Sequence, residues 1–163
     1  MYGIKACALR LTNTYGPGMR VKDARQTFLG IWIRLLLEGK PIKVFGDGKQ
    51  LRDFNYVDDC VHALLLAGAS EDTNGKVYNL GSKEVISLKS LAEMMSNIGY
   101  GGSCELVPFP PEPKSIDIRD YYSDFSLISA ELGWSPKVGL EEGLRRTVEF
   151  YSKNSSEYWE DSL

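Results

Sequence analysis

The spacing of apolar residues alternates along this chain between the pattern of a strand and the pattern of a helix. Residues Ala6–Thr12, with the sequence ACALRLT, alternate between apolar and other residues and predict a buried strand. Residues 23–40 predict a helix that Gly39 ends, because five apolar residues recur there at helical spacing: Phe28, Ile31, Trp32, Leu35 and Leu36. Such a mixed order of strands and helices indicates an α/β fold.

The remaining segments continue the mixed pattern. The sequence NTYGPG, residues 13–18, predicts a turn, and residues 42–57 predict a β-hairpin around a tight Asp-Gly turn. Asp58 is the predicted cap of the next helix, and Ser87 is the predicted cap of a later helix that Gly99 ends. Further strands are expected at 76–82 and 104–109. Further helices are expected at 124–133 and 140–154, before a frayed polar end.

Composition and charge argue against several classes of protein. The longest apolar run, IWIRLLL, is too short to span a membrane and contains Arg34. The net charge is −3, with Lys and Arg not clustered, which argues against nucleic-acid binding. No signal peptide follows Met1, so a cytoplasmic protein is expected. Cys7, Cys60 and Cys104 are too widely spaced for a zinc site, and each is expected to be a small buried side chain.

Polar residues near the predicted strand ends and loops are the candidates for chemistry. The sequence has no G-x-G-x-x-G or P-loop for phosphate, and no G-x-S-x-G for a nucleophile. Asn13 follows one strand, Arg52 and Asp53 lie in another, and a Pro-rich loop contains Lys114 and Asp117. An arginine can fork onto a phosphate, an amide can donate to one, and a carboxylate can accept sugar hydroxyls. A structural Arg52–Asp53 ion pair explains the same strand equally well.

Four segments occur in the same order as in one protein family. They are LRLTNTYGPG (Leu9–Gly18), VFGDGKQLRDFNYVDDCVHALLLA (Val44–Ala67), GKVYNLGS (Gly75–Ser82) and ELGWSPKVGLEEGLRRTVEFY (Glu131–Tyr151). On these segments the chain resembles the C-terminal part of the extended short-chain dehydrogenases, the NAD-dependent nucleotide-sugar epimerases and dehydratases. The resemblance implies an α/β fold that forms the C-terminal, substrate-binding part of an extended Rossmann-fold enzyme, with a remnant of the Rossmann sheet at the N-terminus.

The resemblance also implies roles for individual residues. Asn13, in the L-R-x-x-N pattern, resembles the amide that holds the substrate diphosphate, and Arg52, in the R-D-F pattern, resembles a guanidinium clamp on it. The backbone of Leu11 corresponds to the family's contact with the nicotinamide carboxamide of NAD. Asp117 resembles the acid that faces the nucleotide ribose. Lys114 stands where 4-epimerases usually have a phosphate-binding arginine, and it supplies the charge without the bidentate fork.

Other residues of the same strand are interpreted as structural. A carboxylate at Asp53 beside a diphosphate would repel it, so we expect this side chain to support the fold. Phe54 and Tyr56 are expected to be packing residues, and stacking of one of them on the nucleotide base stays open as the alternative.

In the family, an N-terminal Rossmann domain binds NAD and a smaller C-terminal domain binds the nucleotide sugar. By this resemblance, residues 1–22 are a remnant of the NAD-binding domain, residues 23–155 the nucleotide-sugar-binding domain and residues 156–163 a polar tail. The family's glycine-rich NAD loop and Tyr-x-x-x-Lys pair do not occur in this sequence. We therefore expect no catalytic residue in this chain, and no tight binding of NAD to the chain alone.

The activity implied for the intact enzyme is that of a UDP-glucose 4-epimerase-like protein, with reversible oxidation at sugar C4 through a 4-keto intermediate. A dTDP-glucose 4,6-dehydratase, a UDP-glucuronate decarboxylase and a non-catalytic binding or assembly module stay open as alternatives. The implied partners are a nucleotide diphosphate sugar, with a UDP-sugar favoured, and an N-terminal NAD-binding half in the same or a separate polypeptide. An exposed apolar edge on the strand Ala6–Thr12 predicts a homo-oligomer, and no membrane partner is expected.

Overall fold

The computed structural model describes residues 3–23, 27–109 and 119–159 and confirms an α/β fold with parallel sheets. The strands are β1 (Ala8–Arg10), β2 (Asn13–Tyr15), β3 (Ile42–Phe45), β4 (Leu51–Tyr56), β5 (Val77–Asn79), β6 (Val85–Ser87) and β7 (Cys104–Val107). The helices are α1 (Phe28–Leu37), α2 (Val57–Ala69), α3 (Leu88–Asn97), α4 (Ser126–Leu132) and α5 (Leu140–Tyr158), with a 3₁₀ helix at Glu71–Thr73. Within these residues, no helix combines the length and the apolar character needed to cross a membrane.

Among the described residues, the strands form three small sheets. Parallel strands β1 and β5 form one sheet, and parallel strands β3 and β7 form another. In the third sheet, β4 lies between β2, which is parallel to it, and β6, which is antiparallel. Every residue of β4 from Arg52 to Tyr56 is buried, so both faces of this central strand are covered.

The strand predicted over Ala6–Thr12 is present as the shorter β1, and a second strand with a different partner, β2, follows it in the segment where a turn is predicted. Leu9 of β1 lies opposite Tyr78 of β5, whereas Asn13 of β2 lies opposite Phe54 of β4. Pairing with β4 keeps all of β2 extended. The turn predicted at residues 13–18 is therefore wrong for the residues of β2. The chain turns only after β2 ends.

The predicted β-hairpin is also wrong, because β3 and β4 pair with other strands and not with each other. The chain does turn sharply between them, with Gly46 and Gly48 at φ values of 72° and 66°. The carbonyl of Gly48 accepts the N–H of Lys89 at 3.0 Å, and the carbonyl of Gln50 accepts that of Leu88, also at 3.0 Å. The first N–H groups of a helix have no partner inside it, so this loop caps α3 instead of joining a hairpin.

Side-chain caps explain one helix start and fail to explain another. The hydroxyl of Ser87 accepts the N–H of Ser90 at 3.1 Å, which confirms the predicted cap of α3. The predicted cap of α2 by Asp58 is wrong, because α2 begins at Val57 and its N-cap residue Tyr56 makes no side-chain cap bond. Asp58 is exposed in the first helical turn, where its charge meets the positive end of the helix dipole.

Two apolar clusters hold these elements together. The larger cluster lies between helices α1, α3 and α5 and strands β2, β3 and β4. The smaller cluster lies between α2, α4 and β5 around Trp134, whose indole N–H donates to the carbonyl of Asp59 at 3.0 Å. Cys60 is buried in the smaller cluster as expected, whereas Cys7 and Cys104 are only half-buried.

The C-terminal end of the described chain packs against the larger cluster. Helix α5 has a kink with non-helical backbone at Asn154, the predicted end, and resumes beyond it to Tyr158. Trp159 is 7% exposed, its ring lies 6.2 Å from that of Tyr151, and the Arg34 guanidinium lies 5.8 Å from the Trp159 ring centre. The expected frayed end is therefore wrong for the residues up to Trp159. The domain division at residues 22 and 155 stays a prediction, and its second boundary falls within α5.

Two adjacent acids of α2 provide a matched test of this packing. Asp59 is buried, and its Oδ2 accepts the N–H groups of Lys137 and Val138, each at 3.0 Å. Asp59→Ala leaves both N–H groups without this acceptor, so we expect it to lower the free energy of unfolding by about 3 kcal/mol. Asp58→Ala removes an exposed carboxylate and is expected to cost less than about 1 kcal/mol. Urea denaturation measures both changes, and equal costs would contradict the role assigned to Asp59.

Candidate functional site

A polar cleft of about 560 Å³ lies at the junction between β1 and β2. Its lining comes from the junction of these strands, the loop after β2 and the start of α1, and includes Leu11, Thr12, Asn13, Arg20, Thr27 and Phe28. Two residues assigned from the sequence, Leu11 and Asn13, therefore lie in one cleft. The carboxyl ends of parallel strands are where open α/β sheets bind their ligands.

The Asn13 side chain is anchored at this cleft by a backbone contact. Its Nδ2 donates to the carbonyl of Asp53 at 2.9 Å. A side-chain amide has two N–H bonds, and this contact uses one of them. The contact thus fixes the orientation of the amide and leaves it the capacity to donate to a ligand.

A second, largely apolar cleft of about 360 Å³ adjoins the first, and Phe28 lines both. The rings of Phe45 and Phe109 line it and stack with their centroids 6.0 Å apart at an interplanar angle of 25°. Gly46 allows this arrangement, because a Cβ at its position would lie 2.4 Å from Cε2 of Phe109. A flat, apolar ligand group fits a cleft with such walls.

Arg52 is a buried residue of β4 that is not itself among the described lining residues of either cleft. Successive side chains of a strand point to opposite faces, so Arg52 and Phe54 of β4 share one face. Gln50 lines the apolar cleft. The ring of Phe54 lies 6.2 Å from that of Phe28, the residue common to both clefts. In the order of the chain, Arg52 therefore lies between Gln50, which lines the apolar cleft, and Phe54, whose ring is near the residue that lines both clefts.

Backbone carbonyls hold the guanidinium of Arg52. Its Nη1 donates to the carbonyl of Leu51 at 2.7 Å and to the carbonyl of Arg119. These contacts use part of the five-donor guanidinium and fix its orientation, while the side chain is 8% exposed. A direct Arg52–Asp53 ion pair is not supported, because neighbouring residues of a strand point to opposite faces.

Asp53 is fully buried on the other face of β4. Its Oδ2 accepts the N–H groups of Ser82 and Ser123, each at 3.2 Å, whereas its Oδ1 has no hydrogen-bond partner among the described residues. Burial raises the pKa of this carboxyl above its usual value of 3.8, and the bonds from Ser123 and Ser82 offset only part of that effect. The charge of Asp53 therefore costs stability where it stands.

Sequence comparison assigns the chain to a family. Residues 1–81 match the sequence model of the NAD dependent epimerase/dehydratase family. The chain is 32% identical over 156 residues to the UDP-glucuronate 4-epimerase of Thermodesulfobacterium geofontis, a match that covers 94% of this chain and 45% of that protein. This chain belongs to the NAD-dependent epimerase/dehydratase family. It spans about half the length of the relatives that it matches, in their C-terminal part.

Solved structures of the epimerase/dehydratase family share this fold. The UDP-glucose 4-epimerase of Thermotoga maritima, determined with UDP-glucose, is 36% identical, with a TM-score of 0.81 that covers 94% of this chain and 48% of that chain. The dTDP-glucose 4,6-dehydratase of Streptomyces venezuelae, with NAD and TYD bound, is 26% identical, with a TM-score of 0.81 that covers 98% and 47%. The expected kinship with Rossmann-fold enzymes is confirmed, and it includes both epimerases and dehydratases.

The structure of this family member adds site residues that the sequence analysis missed. Arg20 lines the polar cleft, where its guanidinium donates to the Asp23 carboxylate at 2.6 and 2.9 Å. The sequence did contain a signal for Arg20, because it is a basic residue in the loop that follows a strand. Phe45 and Phe109 come from separate parts of the chain, and no local pattern brings them together.

The remaining assigned residues divide into two groups. Lys114 and Asp117 lie outside the described residues. Leu11, which the resemblance assigns to NAD, is 43% exposed in the polar cleft, and this exposure fits a backbone contact with a cofactor. In the described part of this family member, no group of three or more His, Cys, Asp and Glu residues is placed to hold a metal ion.

The raised pKa of Asp53 predicts how pH affects the stability of this family member. A carboxyl whose pKa is higher in the folded than in the unfolded state contributes most below the unfolded value of 3.8, and the contribution is lost as pH rises through the folded pKa. The free energy of unfolding of the native chain should therefore rise relative to that of Asp53→Asn as pH falls from neutral towards 4. Urea denaturation across this range measures the difference. A difference that is constant or that shrinks on acidification would contradict the burial of an ionised Asp53.

Proposed function

We propose that this chain is the nucleotide-sugar-binding half of an NAD-dependent epimerase/dehydratase of the UDP-glucose 4-epimerase type. The observation that carries the proposal is the meeting of a polar and an aromatic cleft at Phe28. A nucleotide sugar has the same division, since a flat base lies at one end and a charged diphosphate separates it from the sugar. The relative from Thermotoga maritima was determined with UDP-glucose, which agrees with a ligand of this class.

In this proposal the diphosphate is bound between Asn13 and Arg52. The Asn13 amide donates an N–H to a phosphate oxygen, and the Arg52 guanidinium provides positive charge in a planar array of donors. Arg20 adds a second positive charge at the polar cleft, partly compensated by Asp23. Binding at the diphosphate is remote from the reacting sugar carbon, so its free energy can orient the sugar for reaction.

The base is proposed to occupy the apolar cleft. Stacked aromatic rings favour a flat heterocycle, and Phe45 and Phe109 form such a wall. Gln50 lines the same cleft and brings a side-chain amide, a group that can recognise the polar edge of a pyrimidine. On the family resemblance alone, Lys114 is proposed to face phosphate and Asp117 to face the ribose.

The residues of this chain do not by themselves make an NAD site. Leu11 fits a backbone contact to the cofactor, but the sequence contains no glycine-rich phosphate loop and no Tyr-x-x-x-Lys pair. NAD, when bound in the intact enzyme, would accept and return a hydride at sugar C4. We propose that an N-terminal NAD-binding half, in the same or a separate polypeptide, completes the enzyme, and that this chain alone is inactive.

A dTDP-glucose 4,6-dehydratase is the second candidate for the intact enzyme. Relatives of that name match the chain over nearly its whole length, as the epimerases do. The two candidates differ in the base of the ligand, so the relative affinities of the chain for UDP and dTDP distinguish them. The UDP-glucuronate decarboxylase and the non-catalytic module have no specific observation in their favour.

We also propose a homo-oligomeric, cytoplasmic protein. Among the described residues β1 pairs only with β5, so its other edge is open. An open strand edge favours pairing with another chain. The same edge is available to the NAD-binding half, and the two partners would compete for it.

Arg52→Lys tests the diphosphate site. Lysine keeps the positive charge but loses the planar fork, so we expect the dissociation constant for UDP to rise about tenfold or more. Isothermal titration calorimetry on the 163-residue chain measures the change, with uridine as the ligand that lacks phosphate. Affinity for uridine should be unchanged, because Arg52 is assigned to the phosphates.

Arg34→Lys is the matched control for this substitution. Arg34 also donates to a backbone carbonyl, that of Lys22 at 3.0 Å, and its side chain is partly buried, but it belongs to α1 and is assigned no contact with the nucleotide sugar. UDP affinity should therefore stay within about twofold of the native value. Equal effects of the two substitutions, or no effect of Arg52→Lys, would contradict the site.

Catalysis by the chain alone provides a separate test. Because the sequence contains no Tyr-x-x-x-Lys pair, the purified chain with NAD and UDP-glucose should produce no UDP-galactose. Chromatography of the nucleotide sugars after prolonged incubation measures this, with a full-length 4-epimerase as the positive control. Turnover that persists through purification would contradict the proposal that the catalytic groups lie elsewhere.

A further inference from the structure

Residues 119–123, which we call the flanking segment, are fastened along β4 by hydrogen bonds at both ends. The carbonyl of Arg119 accepts from Arg52, and the N–H of Ser123 donates to Asp53. Between these ends, the N–H of Tyr121 donates to the carbonyl of Leu51 at 2.9 Å. The flanking segment therefore follows β4 like a short additional strand.

Asp53 joins this segment to a second loop. One oxygen, Oδ2, accepts the N–H groups of both Ser82 and Ser123. The two loops also touch directly, since a Cβ on Gly81 would lie 2.4 Å from the carbonyl oxygen of Ser123. Asp53 and the missing side chain of Gly81 thus set the position of the Ser123 end of the flanking segment.

We propose that Asp53 is a positioning residue for Arg52: by fixing the flanking segment, it fixes the Arg119 carbonyl that orients the guanidinium. This inference rests on the proposed function, in which Arg52 binds the diphosphate. Asp53 itself lies on the opposite face of β4 and is fully buried, so it acts without touching the ligand. Its action is transmitted along the backbone from Ser123 to Arg119.

The burial of Asp53 favours a role beyond support of the fold. A buried carboxylate with an unpartnered oxygen binds two N–H groups at a large cost in desolvation free energy. Sites that break a local stability rule are commonly functional sites.

A double-mutant cycle between Asp53 and Arg52 tests the inference, with UDP as the probe and calorimetry as the measurement. Asp53→Ala should weaken UDP binding about tenfold, because displacement of a binding group by a fraction of an ångström has effects of this order. Asp53→Asn keeps an oxygen that can accept both N–H groups, so it should restore affinity to within about threefold of the native value. In the Arg52→Lys background, Asp53→Ala should have little further effect, since the group that it positions is already lost.

Asp59→Ala is the control, because Asp59 also accepts two backbone N–H groups through one buried oxygen but serves the entry to α5. It should lower stability and leave UDP affinity unchanged at a temperature where the variant is folded. If Asp53→Ala does not fold, Gly81→Ala replaces it in the cycle, since its Cβ displaces Ser123 without removing the carboxylate.

The outcomes distinguish the positioning role of Asp53 from the diphosphate site itself. Independent, multiplicative effects of Asp53→Ala and Arg52→Lys would overturn the positioning role while leaving the diphosphate site intact. Equal losses of affinity in Asp53→Ala and Asp59→Ala would overturn it in the same way. A normal affinity in Arg52→Lys would overturn the diphosphate site itself, and the positioning role with it.

Discussion

The alternation of side chains along β4 is the constraint on which the rest of this structure depends. One face of the strand carries Arg52 and Phe54, and Phe54 packs in the larger apolar cluster with its ring near that of Phe28. The other face carries Asp53, which is tied to the loops at Ser82 and Ser123. Because β4 pairs on both sides, with β2 and β6, neither face can shift without breaking strand pairing. A strand held in this way fixes the position of the Arg52 guanidinium accurately, as the proposed binding of a diphosphate requires.

The features that the sequence predicted are those with local causes. The cap at Ser87 and the apolar period of α1 and α3 depend on neighbours within one helix, and the structure has them as expected. The errors at β2 and at the hairpin have distant causes. Pairing with β4 extends β2, and the amides of α3 occupy the carbonyls of the presumed hairpin. The aromatic wall of Phe45 and Phe109 belongs to the same class, because β3 and the segment after β7 meet only through parallel pairing.

Family membership and the geometry of the candidate site are two separate lines of evidence for the proposed ligand. Membership of the NAD-dependent epimerase/dehydratase family follows from sequence alone, but it includes epimerases and dehydratases that act on different nucleotide sugars. The structure shows that Leu11 and Asn13 share a cleft, and that Phe28 lines both this cleft and an aromatic one. We propose that these residues, together with Arg52, hold a nucleotide diphosphate. The chain spans about half of its relatives, so the chemistry at the sugar is proposed for a larger assembly.

The most direct test of this account is the crystal structure of the chain with UDP. The account predicts that the uracil lies in the cleft of Phe45 and Phe109, and that phosphate oxygens lie within hydrogen-bonding distance of Asn13 Nδ2 and of the Arg52 guanidinium. A diphosphate bound away from both side chains would contradict it. So would an Arg52 guanidinium that contacts only backbone carbonyls while UDP occupies the clefts.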